Sequence, residues 1–233
     1  MPYYGFYFDS TYILIIIGAI LCLIASAKVN TTFNRYKKVR SHSGMTGAEV
    51  AQRILNSQGI YHVNVERVRG SLTDHYDPKT KVVRLSEDVY NSTSVAAIGV
   101  AAHECGHAIQ DEKEYAPLRM RAALVPAANF GSQICWLFIL GGILFGANSF
   151  LINIGILLFS ISVLFQIITL PVEFDASRRA IALLDQTGIL GTEELKGTKK
   201  VLGAAALTYV ASAAAAILSL LRLLILFGNR RDD

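Results

Sequence analysis

The chain has 233 residues, 52% of them apolar and only 17% charged, with a formal net charge of +4. That length supports a folded domain, but so little charge beside so much apolar surface excludes an ordinary soluble globule and points to membrane insertion. The basic excess suits inner-face flanks near anionic lipid, and no basic, aromatic-interleaved surface calls for nucleic acid as a partner.

Tyr12 to Ala27 is the first candidate span. It ends in Ala25-Ser26-Ala27, which resembles a signal-peptidase site. The residues before it carry Asp9 and no Lys or Arg, whereas Lys28, Arg35, Lys37, Lys38 and Arg40 follow without an acid. This asymmetry favours a retained anchor over a cleaved signal and puts residue 28 onward in the cytoplasm. The next stretch, to about residue 121, has ordinary soluble composition. Thr46 with Glu49 spells a capping box, Ala48, Val50, Ala51, Ile54 and Leu55 supply an apolar face, and Gly59 ends the run, so 46–58 reads as a helix. "YHVNVERV" then alternates around Val63 and Val65, and "KVVRLS" follows a turn at Asp77-Pro78, predicting a strand pair over 61–86. Ser92 or Ser94 caps a helix running through Gln110, where Ala96, Ala97, Ala101 and Ala102 allow close packing.

Residues 122–172 contain no charged side chain, more than twice the roughly 20 apolar residues that one crossing needs. Gly146, Ala147, Asn148 and Ser149 suit a tight turn, giving a hairpin of 123–146 and 150–171; a buried hairpin of a soluble protein is disfavoured by this length. Val201 to Phe227 is the fourth candidate, Ala-rich and interrupted by Arg222. It either spans with Arg222 snorkelling or packs as a long helix against the polar domain, and spanning is the favoured reading. Lys196, Lys199 and Lys200 precede it, while Arg230 and Arg231 are offset by Asp232 and Asp233, so its start belongs inside. Cys22 and Cys135 fall in predicted spans and Cys105 in a polar motif, which argues against a disulfide framework and fits a reducing compartment.

The chemistry concentrates in "AAHECGHAIQ". On a helix, side chains four apart share a face, so His103 and His107 present two imidazoles to one ion, and Glu104, about 100° round, can reach a water at the metal as its general base. A chain of this composition yields H-E-x-x-H by chance only about 0.004 times, so two satisfied histidines on an Ala-rich helix is the weaker account. A catalytic zinc wants a third protein ligand and one open position. His42, His62 and His75 lie upstream in a basic segment and the strand region, where surface or structural roles suit them better. Glu173, in "LPVEFDASRRA", follows the charge-free hairpin at once, and an antiparallel hairpin returns it to the membrane face from which the histidine helix departs.

"LTDHYDP", "AAHECGHAIQ", a transmembrane hairpin and "PVEFDASRRA" together resemble the YugP-type membrane zinc metallopeptidases, and the resemblance covers nearly the whole chain. Within that family and the wider gluzincin group, two histidines and a downstream glutamate bind zinc. This implies His103, His107 and Glu173 as ligands of one zinc ion per chain and Glu104 as the base. The gluzincin pattern also has an acid four residues after the third ligand that orients the first histidine; here that position is Ser177, so Asp175, Asp111 or a backbone carbonyl are candidates to hold the imidazole N–H.

Tyr209 and Arg178 are candidate donors to the developing oxyanion, against plainer roles as a packing tyrosine and a snorkelling or ion-paired arginine. An extended peptide is expected to add to an exposed strand edge within 61–86, with His75 and Tyr76 lining the groove. Cys105 points away from the metal as filler. The expected protein is α-helical and integral to the membrane, with a small α+β zincin-like domain and about four transmembrane helices. Its parts are an anchor (1–27), a cytoplasmic domain (28–121), a hairpin (122–172), a third-ligand helix and loop (173–200) and a long C-terminal helix (201–233). The expected activity is zinc-dependent endopeptidase at the cytoplasmic face of the cell membrane, acting on proteins or peptides. The alternatives are a non-catalytic scaffold with structural zinc, and a channel or transporter, for which the spans lack intramembrane charges or broken repeats.

Overall fold

A computed structural model describes residues 9–146 and 148–228. Ala147 of the expected turn, and the charges Arg230, Arg231, Asp232 and Asp233, lie outside the described residues.

Helix α1 runs from Tyr12 to Tyr36, well beyond the expected end at Ala27, so Ala25-Ser26-Ala27 is helical rather than an extended cleavage site. Helix α2, Gly47–Ser57, starts where the capping box requires: the Thr46 side chain accepts from the Glu49 backbone N–H, and the Glu49 side chain accepts from the Thr46 backbone N–H. Gly59, with φ of +74°, stops it.

The expected strand pair is a three-stranded sheet. Strand β1 is Asn64–Val68, β2 is His75–Asp77 and β3 is Val82–Ser86, in the order β1-β3-β2. β1 runs parallel to β3, with Asn64 opposite Val82, whereas β2 is antiparallel to β3, with Asp77 opposite Val82. Alternation in the sequence finds β1 and β3 but not the three-residue strand between them, which is too short to show a period. The Asp77-Pro78 turn forms as expected, and the Asp77 carboxylate accepts from Lys79 N and the Thr80 hydroxyl at 2.9 and 2.7 Å. A short helix α3, Glu87–Tyr90, follows.

Helix α4, Val95–Glu112, is capped by Ser94, whose hydroxyl accepts from Ala97 N at 3.2 Å. Its alanines are buried on every side, as befits a helix at the centre of a core. Helices α5 (Ala116–Leu144), α6 (Ser149–Gln186) and α7 (Thr192–Phe227) complete the chain. Among the described residues, these three and α1 are the four helices long and apolar enough to cross a membrane. α5 and α6 are longer than the expected hairpin arms. The second arm does not stop at 171: α6 continues through Pro171 and Glu173 to Gln186, so one helix carries both an apolar segment and the candidate third ligand.

The residues divide into two compact units. One comprises 1–24, 123–167 and 210–233, the apolar parts of α1, α5, α6 and α7. Small residues bring its helices together: a Cβ on Gly18 would lie 3.1 Å from Ala215, and one on Gly131 2.8 Å from the Leu158 carbonyl oxygen. Arg222 stacks its guanidinium 4.1 Å from the Tyr12 ring centre. The other unit comprises 25–122 and 168–209, with a core in which α2, α3, the sheet, α4 and the polar ends of α6 and α7 meet around Ile54, Leu55, Leu85, Ile98, Ile109 and Leu184.

Within this second unit α4 and α6 touch through backbone. A Cβ on Gly106 would stand 2.6 Å from the Ala176 carbonyl oxygen. Alanine in place of glycine ordinarily favours a helix by up to about 1 kcal/mol, whereas forcing an atom into a packed interface costs about 1–3 kcal/mol. Because the obstacle is backbone, the second effect wins. Gly106→Ala is therefore expected to lower the thermal midpoint of the detergent-solubilised protein, measured against a Gly141→Ala control where a Cβ meets nothing within 4 Å.

Candidate metal centre

His103 and His107 lie one turn apart on α4, and Glu173 reaches them from α6. Glu173 Oε2 stands 3.3 Å from His103 Nε2 and 3.6 Å from His107 Nε2. The imidazole rings sit edge to face with centres 4.7 Å apart, and one ligand atom from each of the three residues falls within 4.8 Å of the others. Tetrahedral zinc with bonds of 2.0–2.2 Å separates adjacent donor atoms by about 3.3–3.6 Å, so both measured N···O separations and the chemistry of the set suit that ion. Three donors leave its fourth position open.

Each imidazole uses its other nitrogen as a handle. His107 Nδ1 donates to Gln110 Oε1 at 3.0 Å, while Gln110 Nε2 donates to the Val172 carbonyl at 2.8 Å and to Asp175 Oδ2 at 3.0 Å. Two acceptors on the amide nitrogen fix the orientation of the amide, its oxygen can only accept, and the proton of His107 must therefore sit on Nδ1. In the neutral ring that leaves the lone pair on Nε2, the nitrogen on the Glu173 side. His103 Nδ1 is 3.1 Å from the Ser177 hydroxyl. The residue standing where an acid was expected thus itself contacts the first histidine, as a neutral partner.

Of the other expected orienting groups, Asp175 acts on His107 through Gln110 and is also paired with Arg178 and Arg179. Asp111 does not approach either imidazole: it accepts from Tyr76 Oη at 2.7 Å and Lys81 Nζ at 2.6 Å, tying the β2–β3 hairpin to α4. Arg178 is likewise not gathered at the triad, its side chain being 78% exposed on Asp175. Tyr209 lies nearer, its phenol within electrostatic range of the Glu173 carboxylate. His75 is exposed on β2 with its Nδ1 2.8 Å from the Thr73 carbonyl, His62 faces Glu112 at 3.3 Å, and the His42 backbone N–H donates to Glu194, so none of these three joins the site. Cys105 is buried with its thiol on the Ala51 carbonyl, and burial raises its pKa away from reactivity.

Glu104 is buried beside the pair. Desolvation pushes its carboxyl above the ordinary glutamate range, against the pull of His103 and His107. Burial also presses His107 toward the neutral form, and the Glu173 carboxylate more than offsets it, leaving the imidazole raised. Sequence reasoning missed Gln110, Ser177 as a direct partner, and Arg121, whose Nη1 donates to Glu173 Oε1 at 3.0 Å. The Gln110 signal was present: three residues after His107, it shares that helix face.

Long apolar helices joined to a two-histidine, one-carboxylate centre with a buried glutamate beside it define a membrane metallopeptidase type of protein. The family model described as "Putative neutral zinc metallopeptidase" matches residues 11–228, and the chain belongs to that family. It is also 51% identical over 209 residues to the "Putative membrane protease YugP" of Bacillus subtilis (strain 168), covering 90% of this chain and 92% of that protein. No solved structure matches.

Replacing Gln110 by Leu removes the acceptor on His107 Nδ1 at nearly constant volume. Loss of such a supporting bond typically costs about 10–100-fold in metal affinity, the drop expected from chelator competition on Gln110→Leu. Ser177→Ala, which removes the neutral partner of His103, is expected to fall in the same direction.

Proposed function

We propose that the protein is an integral-membrane, zinc-dependent endopeptidase in which His103, His107 and Glu173 hold the ion and Glu104 is the general base. The observation that carries this reading is the convergence of three ligand atoms at donor spacings suited to zinc, His107 and Glu173 buried and His103 partly so, with Glu104 on the histidine helix. A bound zinc supplies Lewis acidity, polarising the scissile carbonyl and making a water acidic near neutral pH.

The chain's own residues do the rest. Glu104, whose raised pKa makes it a better proton acceptor than an exposed glutamate, takes a proton from the attacking water and passes it to the leaving amine. Gln110 and Ser177 keep both imidazoles presenting Nε2. Tyr209, whose phenol lies near the Glu173 carboxylate, is the group we assign to meet the developing oxyanion. β2 pairs on one side only, with β3, and its residue Tyr76 is anchored to α4 through Asp111. An extended peptide adding to its other edge is aligned by main-chain hydrogen bonds whatever its sequence, with His75 beside it. The lysine and arginine excess at the end of α1 and just beyond it, with Lys196, Lys199 and Lys200 in the first turns of α7, supports a cytoplasmic placement of the site in the cell membrane.

Glu104→Gln removes the base while leaving the three ligands. It is expected to retain zinc and lose about 10²–10⁴-fold in peptide hydrolysis, whereas a scaffold with structural zinc would show equal function in both forms. For topology, cysteines introduced at the exposed residue 61 and at residue 148 should label from opposite sides of sealed vesicles, residue 61 from within; labelling of both from outside contradicts the cytoplasmic assignment.

A further inference from the structure

The two oxygens of Glu173 have different neighbours. Oε2 is turned to the imidazoles, 3.3 Å from His103 Nε2 and 3.6 Å from His107 Nε2, whereas Oε1 accepts a charge-assisted hydrogen bond from Arg121 Nη1 at 3.0 Å. The carboxylate is nearly inaccessible, its side chain 4% exposed, while Arg121 enters from the first turns of α5 with its side chain 32% exposed. The other arginines near the site, Arg178 and Arg179, are engaged on Asp175. Arg121 is thus the guanidinium brought to the ligand carboxylate, and it is brought to the oxygen that the histidines do not face.

We propose that Arg121 is a positioning residue that confines Glu173 to ligation through one oxygen and so keeps a corner of the metal open for water and substrate. The inference rests on the zinc-site reading above. A carboxylate is free to chelate through both oxygens, which raises the coordination number and fills the position that catalysis requires. A fixed positive charge on Oε1 opposes this twice: it occupies the lone pairs of that oxygen, and it repels a second cation drawn toward the same atom.

The prediction separates this role from mere support. A residue that simply braces Glu173 weakens metal binding when it is removed. A residue that limits Glu173 leaves binding as tight or tighter, because a donor atom is gained, while turnover falls. The test uses the full chain purified in detergent and loaded with Co²⁺ or Zn²⁺, as wild type, Arg121→Met and Arg121→Lys. Arg121→Met is expected to bind one metal without loss of affinity, to show weaker visible cobalt bands and an added metal–oxygen contact in X-ray absorption, and to lose about 10–100-fold in kcat with KM little changed. Arg121→Lys, which keeps a charged donor, should restore the wild-type spectrum. Should Arg121→Met fail to fold, Arg121→Gln is read in its place, since a neutral amide no longer repels the ion.

An unchanged cobalt spectrum and kcat in a metal-loaded Arg121→Met overturns the proposal, as does outright loss of metal from a folded variant, which would make Arg121 a brace. Glu173→Ala binding metal as tightly as wild type would instead bring down the zinc-site reading itself, whatever Arg121 does.

Discussion

The carboxylate of one helix stands between two imidazoles of another where the two backbones touch, and that contact is what the rest of the centre depends on. Ordinary helix–helix spacings are 8–10 Å, so a backbone contact is a closer approach than most helix pairs make. At Gly106 the spacing is closed, because only a residue without a Cβ admits the Ala176 carbonyl. The same approach sets Glu173 and Ser177, one turn apart on α6, on either side of the contact, where one faces the imidazole Nε2 atoms and the other His103 Nδ1. The glycine inside "HECGH" therefore acts on the metal centre without touching it.

Burying an anion and two titratable rings together is costly unless every polar atom has a partner. The centre meets this demand by relays that leave the core at both ends. From His107 the chain of bonds runs through Gln110 to Asp175 and out to the arginines; from Glu173 it runs to Arg121, with part of its guanidinium in solvent. The charge of the site is thereby shared with groups that water can still reach. The substitution of a neutral Ser177 for an acid at His103 fits this pattern, since the site already holds Glu104, Glu173 and Asp175 as carboxylates within one small volume.

The histidine pair with Glu104 beside it, the capping box of α2 and the apolar spans were legible because each depends on spacing within a single element: four residues on a helix, three at a cap, about 20 across a bilayer. Glu173 was legible through connectivity, as the first charge after a hairpin. Arg121 carried the same signal, being the last charge before it; residues 121 and 173 each stand 26 positions from residue 147, at equal height on antiparallel arms. Arg178 stands away from the triad because nearness in sequence to Glu173 says nothing of direction, and three residues after Asp175 on α6 its side chain pairs with that carboxylate, the plainer role also expected of it. The third strand and the parallel pairing of β1 with β3 were beyond pattern reading, since three residues show no alternation and direction is set by tertiary contacts.

Pro126 and Pro171 each remove one hydrogen bond from an otherwise continuous helix, and the carbonyls that lose their partners are those of Ala122 and Ile167. These are the residues at which the two compact units divide within α5 and α6. The stiffness of both rods is lowest there, so bending imposed on the apolar lengths by a thinner or thicker bilayer is absorbed before it reaches the end of α6 that carries Glu173. Catalytic geometry and lipid adaptation can then vary separately, although a single pair of helices serves both.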